Sequence, residues 1–428
     1  MSDILLLASI IMLVLLFLKV PVYIAVLGGA MVYFVMNQGV NPIVFAQQTS
    51  IGTEKISLLA IPFFVCAGIF MNYTGVTKRI MDFCEVVTGH LPGGLAQVNV
   101  LLSTIMGGLS GSNIADAAME AKMLVPEMEK KGFSKEFSSV VTAASSMITP
   151  LIPPGIAMIL YGCIADVSIG KLFISGLGVG ALLCFTMMIL VGFISKKRGY
   201  GNLTTEKITW PKFWKAFKPA ILPLCLPIII IGGIRLGIFT ATEAGAVAII
   251  YAMFLGIIYK EMHMKDIVQG MKETVTTTAS IMLIVSAASV FSWVLTKEKI
   301  PQQLTEWMMA TINNKYVFLL VLNIFLLIVG MFIEGNASMI ILVPLLAPIA
   351  KSYGINEIQF AMVYIFNNAI GALSPPMGTL MFVTCSITKC KTAAFIREAV
   401  PFYFLLLINL MLLTWIPGFT TVLVNLFY

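Results

Sequence analysis

Long apolar runs without charged residues alternate along this chain with short polar segments. No charged side chain lies between Glu136 and Asp166, or between Glu357 and Lys389. A helix needs about 20 apolar residues to cross the hydrocarbon of a bilayer. The pattern predicts six membrane segments before a polar loop at 196–218 and six after it, at 4–18, 21–38, 57–75, 91–126, 137–165, 172–195, 219–234, 243–259, 274–296, 316–350, 358–388 and 399–425.

Two of these runs, 137–165 and 358–388, are interrupted by a proline pair at equivalent positions. Pro153-Pro154 and Pro375-Pro376 align without a gap in the residues around them. A helix that breaks inside lipid frees backbone groups, which is tolerated only where the break is buried in protein or lines a cavity. Two such breaks in matching halves of a chain are typical of the binding site of a secondary transporter.

Two other runs, 91–126 and 316–350, contain a glycine-containing interruption, at 107–113 and at 330–336. Each half of such a run would span roughly 25 Å, which is marginal for a full crossing. We therefore expect two re-entrant helical hairpins. The chain is predicted to divide into a first half (1–195), a cytoplasmic linker with an interfacial helix (196–218) and a second half (219–428).

Composition supports a membrane protein, because 59% of the residues are hydrophobic and only 11% are charged. A soluble domain has about 25% charged residues. The net charge of +7 is concentrated in short loops, so it indicates topology and no binding of nucleic acid. If both interrupted runs are hairpins, most basic loops share one side, which the positive-inside rule makes cytoplasmic. Both termini are then periplasmic and the two halves are inverted repeats.

Hairpin tips and broken helices each place a helix end beside a helix start. Free carbonyl groups at helix ends suit a dehydrated cation such as Na⁺, and free N–H groups at helix starts suit a carboxylate. Polar side chains near these points are Ser110, Ser112, Asn113, Thr149, Asn336, Ser338, Asn368, Ser374 and Thr379. The alternative for each is simple packing, since such residues also join membrane helices, and Asn113 with Asp116 could cap a helix.

Four ionisable residues are candidates for gating or ion pairing. Asp116 and Glu334 lie beside the tips, where both are candidates for a coupling-ion or gating role. For Asp116, helix capping and orientation of neighbouring groups is the favoured alternative. Arg235 and Glu243 flank a short outer loop, which favours a structural ion pair over a counter-ion for a substrate carboxylate.

The remaining polar segments and the cysteines suggest no further chemistry. Trp210 and Trp214, together with nearby lysines, predict an amphipathic interfacial helix, and residues 76–90 and 260–273 are expected to form similar arms. The seven cysteines are scattered in apolar runs, which favours buried thiols over disulfides or a metal site.

Several motifs resemble the large membrane subunit of TRAP (tripartite ATP-independent periplasmic) transporters over essentially the whole chain. They are Ala60-Ile-Pro-Phe-Phe64, Ser110-Gly-Ser-Asn113, Ile152-Pro-Pro-Gly155, Phe239-Thr-Ala-Thr-Glu-Ala244 and Ser374-Pro-Pro-Met-Gly378. The resemblance implies an elevator-type transporter in the bacterial inner membrane that takes up an organic acid with Na⁺ and without an ATPase. It also implies a periplasmic substrate-binding protein and a small four-helix membrane subunit as partners. The first tip is most similar to sialic-acid members, although many relatives have serine where this chain has Asn113.

The resemblance also implies at least two Na⁺ sites at the tips and breaks. One maps to Ser110, Ser112, Asn113, Thr149 and Pro150, and the other maps to Gly335, Asn336, Gly371, Ser374 and Met377. The residues predicted to bind substrate are Ser112, Asn113, Pro153, Pro154, Gly155, Asn336, Ser338, Pro375, Pro376 and Thr379.

Other functions are less consistent with the sequence. Gly108-Leu-Ser110-Gly111 fits an intramembrane serine protease, but both histidines, His90 and His263, lie beside charged loops far from a hairpin tip. Gly170-Lys171 is followed by leucine, so it forms no P-loop. We therefore expect no enzyme and no ATPase. A C4-dicarboxylate TRAP transporter and a stand-alone sodium–anion symporter of similar architecture remain the alternatives.

Overall fold

The computed structural model describes residues 3–18, 20–204 and 209–428, and these residues form α-helices joined by short connections. Two short 3₁₀ helices lie at Ile56–Leu59 and Ser146–Leu151. The α-helices are α1 Asp3–Phe17, α2 Val22–Met36, α3 Ile43–Ile51, α4 Ala60–Asn72, α5 Val76–Thr88, α6 Gly94–Ser110, α7 Asn113–Lys130, α8 Lys135–Ser145, α9 Ile156–Ala165, α10 Ile169–Arg198, α11 Trp210–Arg235, α12 Ala241–Tyr259, α13 Met264–Lys297, α14 Ile300–Thr311, α15 Lys315–Phe332, α16 Gly335–Ser352, α17 Glu357–Leu373, α18 Thr379–Thr388, α19 Thr392–Trp415 and α20 Gly418–Phe427.

Length and composition make this a multi-pass membrane protein. Within the described ranges, seven helices are long and apolar enough to cross a bilayer. Up to nine segments qualify if two helices that are joined at a short, bent break are counted as one span. Many large apolar side chains on these helices face outward, as a lipid-facing surface requires. The predicted all-α polytopic class is confirmed.

Both interrupted runs form two helices joined by a two-residue turn. The first hairpin (α6 and α7) turns at Gly111-Ser112, and the second hairpin (α15 and α16) turns at Ile333-Glu334. Gly111 has a positive φ of 63°, a conformation in which glycine carries no steric cost.

Both proline-containing runs break as predicted. The first stops after the 3₁₀ turn at Leu151 and restarts as α9, and the second stops at Leu373 and restarts as α18. Each proline pair contains a cis peptide bond. Proline lacks the N–H that a continuous helix needs, so the helix ends at this point.

Glycines let each hairpin lie directly on a break. A Cβ added to Gly107 would lie 2.9 Å from the Cα of Thr149, and one added to Gly371 would lie 2.6 Å from the Cα of Gly330. These contacts occur at equivalent positions in the two halves. Backbone therefore packs on backbone wherever a hairpin contacts its own broken helix.

Two helical predictions need correction. The interfacial segment around Trp210 and Trp214 is no separate helix, because it continues into the predicted span 219–234 as α11, and residues 205–208 of the linker lie outside the described residues. Pro223 leaves the Pro219 carbonyl without a donor inside that helix, and the Tyr259 hydroxyl donates to it at 2.9 Å. The segment 260–273 likewise merges into α13.

The other differences concern helix ends and short helices. The predicted span 399–425 is divided at Pro417 into α19 and α20. Residues 76–90 do form a separate amphipathic helix, α5, whose buried Val76, Ile80 and Cys84 recur every four residues. The short helices α3 and α14 were not expected, because their mixed polar and apolar residues resemble loop segments.

We expect Gly371→Ala to destabilise the protein by about 1–3 kcal/mol, since the new methyl group would collide with the α15 backbone at Gly330. The apparent melting temperature in detergent measures this. Gly232→Ala in α11 is the matched control, because nothing lies within 4 Å of the added carbon. Equal melting temperatures for the two variants would contradict the close packing of hairpin on break.

Candidate functional site

The two hairpin tips and the two breaks meet around one cavity with a volume of about 70 Å³. Both halves of the chain contribute to its wall. The lining residues are Gly111, Ser112, Asn113, Ile114, Pro150, Ile156, Ala157, Glu334, Gly335, Asn336, Met339, Ile365, Asn368, Ala369, Ala372 and Thr379.

Four helices begin at this cavity. The first residues of α7, α9, α16 and α18 are Asn113, Ile156, Gly335 and Thr379, and all of them line it. The starts of α9 and α18 receive no side-chain cap. Helix starts carry partial positive charge and free N–H groups, which together attract anions. No lysine or arginine lies among the described lining residues, so the backbone is the main source of positive potential.

The acidic lining residue Glu334 acts as a helix cap. Its Oε2 accepts a hydrogen bond from the Ala337 N–H at 3.0 Å, which satisfies one free donor at the start of α16. The carboxylate is thus engaged by its own helix, and it closes one side of the cavity.

Asp116 lies behind the first tip and outside the cavity wall. Its two oxygens accept hydrogen bonds from Ser110 Oγ and Thr149 Oγ1, each at 2.6 Å, and its side chain is buried. It therefore connects the hairpin tip to the first break. The alternative in which Asn113 caps α7 does not hold, because Ser112 is the cap and accepts from the Ala115 N–H.

The residues predicted for the first cation site are divided between two layers. Ser112, Asn113 and Pro150 line the cavity, whereas Ser110 and Thr149 lie behind it and are bridged by Asp116. Backbone also connects tip and break, since the Ile156 N–H donates to the Gly111 carbonyl at 3.3 Å.

The residues predicted for the second cation site are more scattered. Gly335 and Asn336 line the cavity, while Gly371 packs on α15 and Ser374 donates to its own helix at the Ile370 carbonyl. Met377 is 38% exposed and lies outside the lining.

Asn368 is a lining residue that our predicted site sets omitted. Its amide nitrogen donates to the Gly335 carbonyl at 3.1 Å, while its Oδ1 is buried without a hydrogen-bond partner. A buried oxygen of this kind fits a cation ligand. The signal in the sequence was the pair Asn367-Asn368 within an otherwise apolar run.

Among the predicted substrate-binding residues, the polar ones at helix starts reach the cavity and the prolines do not. Ser112, Asn113, Asn336 and Thr379 line it, whereas Ser338 contacts the Tyr364 hydroxyl at 3.1 Å. The other predicted substrate-binding residues lie outside the cavity lining, in the segments that join the two parts of each broken helix. They are Pro153, Pro154, Gly155, Pro375 and Pro376.

Arg235 and Glu243 do not form the predicted ion pair. Arg235 Nε donates to the Phe427 carbonyl at 3.0 Å, and its guanidinium lies over the Phe427 ring. Glu243 instead forms a capping box with Thr240 at the start of α12. Both residues are satisfied locally, so neither needs the other.

The cysteines are free thiols, as predicted, and six of them are buried. The part of the chain that the structure describes contains no cluster of three or more His, Cys, Asp or Glu residues that could hold a metal ion. The acidic residue in the described lining of the cavity is Glu334, so most of the oxygens that a cation would meet there are neutral.

Residues 9–419 match the family described as the tripartite ATP-independent periplasmic transporter, DctM component, and the chain belongs to this family. It is 38% identical to the sialic acid TRAP transporter large permease protein SiaM of Vibrio cholerae, over 96% of each chain. It is 35% identical to the C4-dicarboxylate TRAP transporter large permease protein DctM of Pseudomonas aeruginosa, over 87% of each chain.

A solved structure shows the same fold at low sequence identity. The YdaH transporter of Alcanivorax borkumensis superposes with a TM-score of 0.58 and 14% identity, over 87% of this chain and 86% of that one.

The family match makes the protein a TRAP large permease for organic-acid uptake and no enzyme. Its family works with a small membrane subunit and a periplasmic binding protein.

We expect Asp116→Ala to lower the free energy of unfolding by about 1–3 kcal/mol, because two buried hydroxyl groups lose their acceptor. Thermal unfolding in detergent tests this. Glu127→Ala on the same helix is the control, since Glu127 is exposed and pairs only with Lys130. If both variants melt alike, the bridge between tip and break contributes nothing to stability.

Proposed function

We propose that this protein takes up sialic acid together with Na⁺, using an elevator motion of the two hairpins and the two broken helices. The observation that carries the proposal is the single cavity at which four helix starts and both hairpin tips converge.

The helix starts support an anionic substrate. A carboxylate can accept hydrogen bonds from the N–H groups at the start of α18, where no side chain caps the helix. The start of α9 also has no side-chain cap, but its Ile156 N–H is already engaged by the Gly111 carbonyl. The described lining residues include no lysine or arginine, so the electrostatic attraction between the cavity and an anionic substrate stays moderate. Moderate attraction suits a substrate that must be released in every cycle.

The lining also supports a polyhydroxylated acid. Asn113, Asn336 and Asn368 supply amide groups, and Ser112 and Thr379 supply hydroxyl groups. These neutral groups can donate to and accept from sugar hydroxyl and acetamido groups. A small dicarboxylate would use few of them, so we prefer sialic acid, in agreement with the relative from Vibrio cholerae.

Helix ends at the same place support Na⁺ binding. Helices α6, α15 and α17 end beside the cavity and carry free carbonyl groups, and the unpartnered Oδ1 of Asn368 adds a side-chain oxygen. Neutral oxygens bind a monovalent cation reversibly. One positive charge that moves inward through 100 mV supplies about 2.3 kcal/mol to uptake.

The remaining parts of the proposal follow the family. The chain lies in the bacterial inner membrane with both termini periplasmic, and the hairpins enter the bilayer from opposite sides. A small four-helix subunit packs beside it, and a periplasmic binding protein delivers the substrate.

We expect proteoliposomes that contain this chain and its small membrane partner to take up radiolabelled sialic acid. Uptake should require both an inward Na⁺ gradient and the binding protein. Succinate in place of sialic acid tests the C4-dicarboxylate alternative. Full uptake with K⁺ in place of Na⁺ would reject Na⁺ coupling, and uptake without the binding protein would indicate a stand-alone symporter.

We expect Asn368→Ala, Asn113→Ala and Ser374→Ala to raise the Na⁺ concentration at half-maximal uptake by about fivefold to tenfold. The loss of one hydrogen-bonding or ligand oxygen costs about 1 to 1.4 kcal/mol. Ser386→Ala, an exposed serine on α18, is the matched control. If none of the three variants differs from this control, these residues serve packing alone.

A further inference from the structure

Glu120 is a fully buried acid that the transport site does not use. It lies on α7 one turn beyond Asp116, its exposure is 0%, and it lines none of the cavities described above. Its Oε2 lies 2.6 Å from Ser103 Oγ on α6, and its Oε1 has no hydrogen-bond partner. A buried carboxylate without a cationic partner is costly in free energy.

The groups that face Glu120 offer no compensating charge. Asp116 is its acidic neighbour on the same helix, Ser103 faces it from α6, and the Cys84 thiol approaches from α5. Helix α18 also packs on α7 but carries no charged residue. No salt bridge to Glu120 occurs among the described residues.

The inverted repeat shows that packing does not require these acids. Where the first hairpin has Asp116 and Glu120, the second hairpin has Met339 and Val343, which are also buried. The same hairpin architecture is therefore built with apolar residues at both positions.

A count of protons indicates the charge state of Glu120. Three oxygen–oxygen contacts follow one another, from Glu120 to Ser103 at 2.6 Å, from Ser103 to Ser145 at 2.9 Å, and from Ser145 to Asn99 Oδ1 at 2.9 Å. Each contact needs one proton, and the two serines supply only two. The third proton must come from one end of the series.

Asn99 is poorly placed to supply that proton. Its amide nitrogen already donates to Thr142 Oγ1 at 2.7 Å, and Thr142 donates onward to the Ser138 carbonyl at 3.0 Å. If the oxygen and nitrogen of the Asn99 amide were exchanged, the amide oxygen would face Thr142 Oγ1 and would need a proton from it. Thr142 would then lose its hydrogen bond to the Ser138 carbonyl.

We propose that Glu120 is a proton-binding site, in which the neutral acid donates a hydrogen bond from Oε2 to Ser103 Oγ. The proton completes the series from Glu120 to Asn99, and the series connects α7 to α6 within the first hairpin and α6 to α8 of the first broken helix. The ligand is a proton, since a metal ion would need several oxygens around an open space. This inference is independent of the proposed substrate and of Na⁺ coupling.

Infrared spectroscopy of the full chain in detergent tests the charge state directly. The wild type minus Glu120→Gln difference spectrum at neutral pH should contain the C=O stretch of a protonated carboxylic acid, and the band should shift when glutamate is labelled with ¹³C. The labelling distinguishes Glu120 from Asp116. The absence of this band, or the appearance of a carboxylate band in its place, would overturn the proposal.

The pH dependence of stability provides a second test. If the folded chain holds one proton more than the unfolded chain, its stability falls as pH rises. We expect wild type to lose up to tenfold in folding equilibrium per pH unit relative to Glu120→Gln, because only the wild type binds this proton in the folded state. Glu127→Gln, the same change at an exposed site of α7, should follow wild type at every pH. A constant difference between wild type and Glu120→Gln across pH would contradict the proton site.

Discussion

Unpaired backbone groups inside a membrane are the constraint on which this structure depends. Each of the two broken helices frees carbonyl and N–H groups at a depth where water is scarce. The structure satisfies part of them internally: the Gly111 carbonyl accepts from the Ile156 N–H, and the Tyr403 hydroxyl donates to the Leu373 carbonyl at 2.9 Å. The proposed binding site lies where the groups that remain meet around the cavity.

Close packing holds the tips against the breaks. Gly107 and Gly330 remove the side chains that would separate each hairpin from its broken helix, and Gly371 does the same from the opposite side. Because backbone approaches backbone, helix starts from two hairpins and two broken helices can share one small cavity. The hairpins and broken helices thereby pack against one another as neighbours, as the proposed elevator motion requires.

The two halves are alike in backbone and different in chemistry. Asp116 bridges Ser110 and Thr149 at the first tip, whereas the second tip uses Glu334 as a helix cap and leaves the Asn368 oxygen free. The repeated backbone pattern therefore gives the position of the candidate site, and the side chains differ between the two halves.

The sequence by itself determined the membrane class, the two hairpins and the two breaks, because runs without charge, paired prolines and paired glycines act through local backbone chemistry. It also placed Ser112, Asn113, Asn336 and Thr379 near the site. The tertiary structure alone decided which polar residues face the cavity, since that depends on helix rotation and on contacts between distant segments. It separated Arg235 from Glu243 and continued α11 from the predicted linker into the predicted span 219–234. It also showed that Asn368 faces the cavity and that Glu120 is buried, because both depend on how the surrounding helices pack.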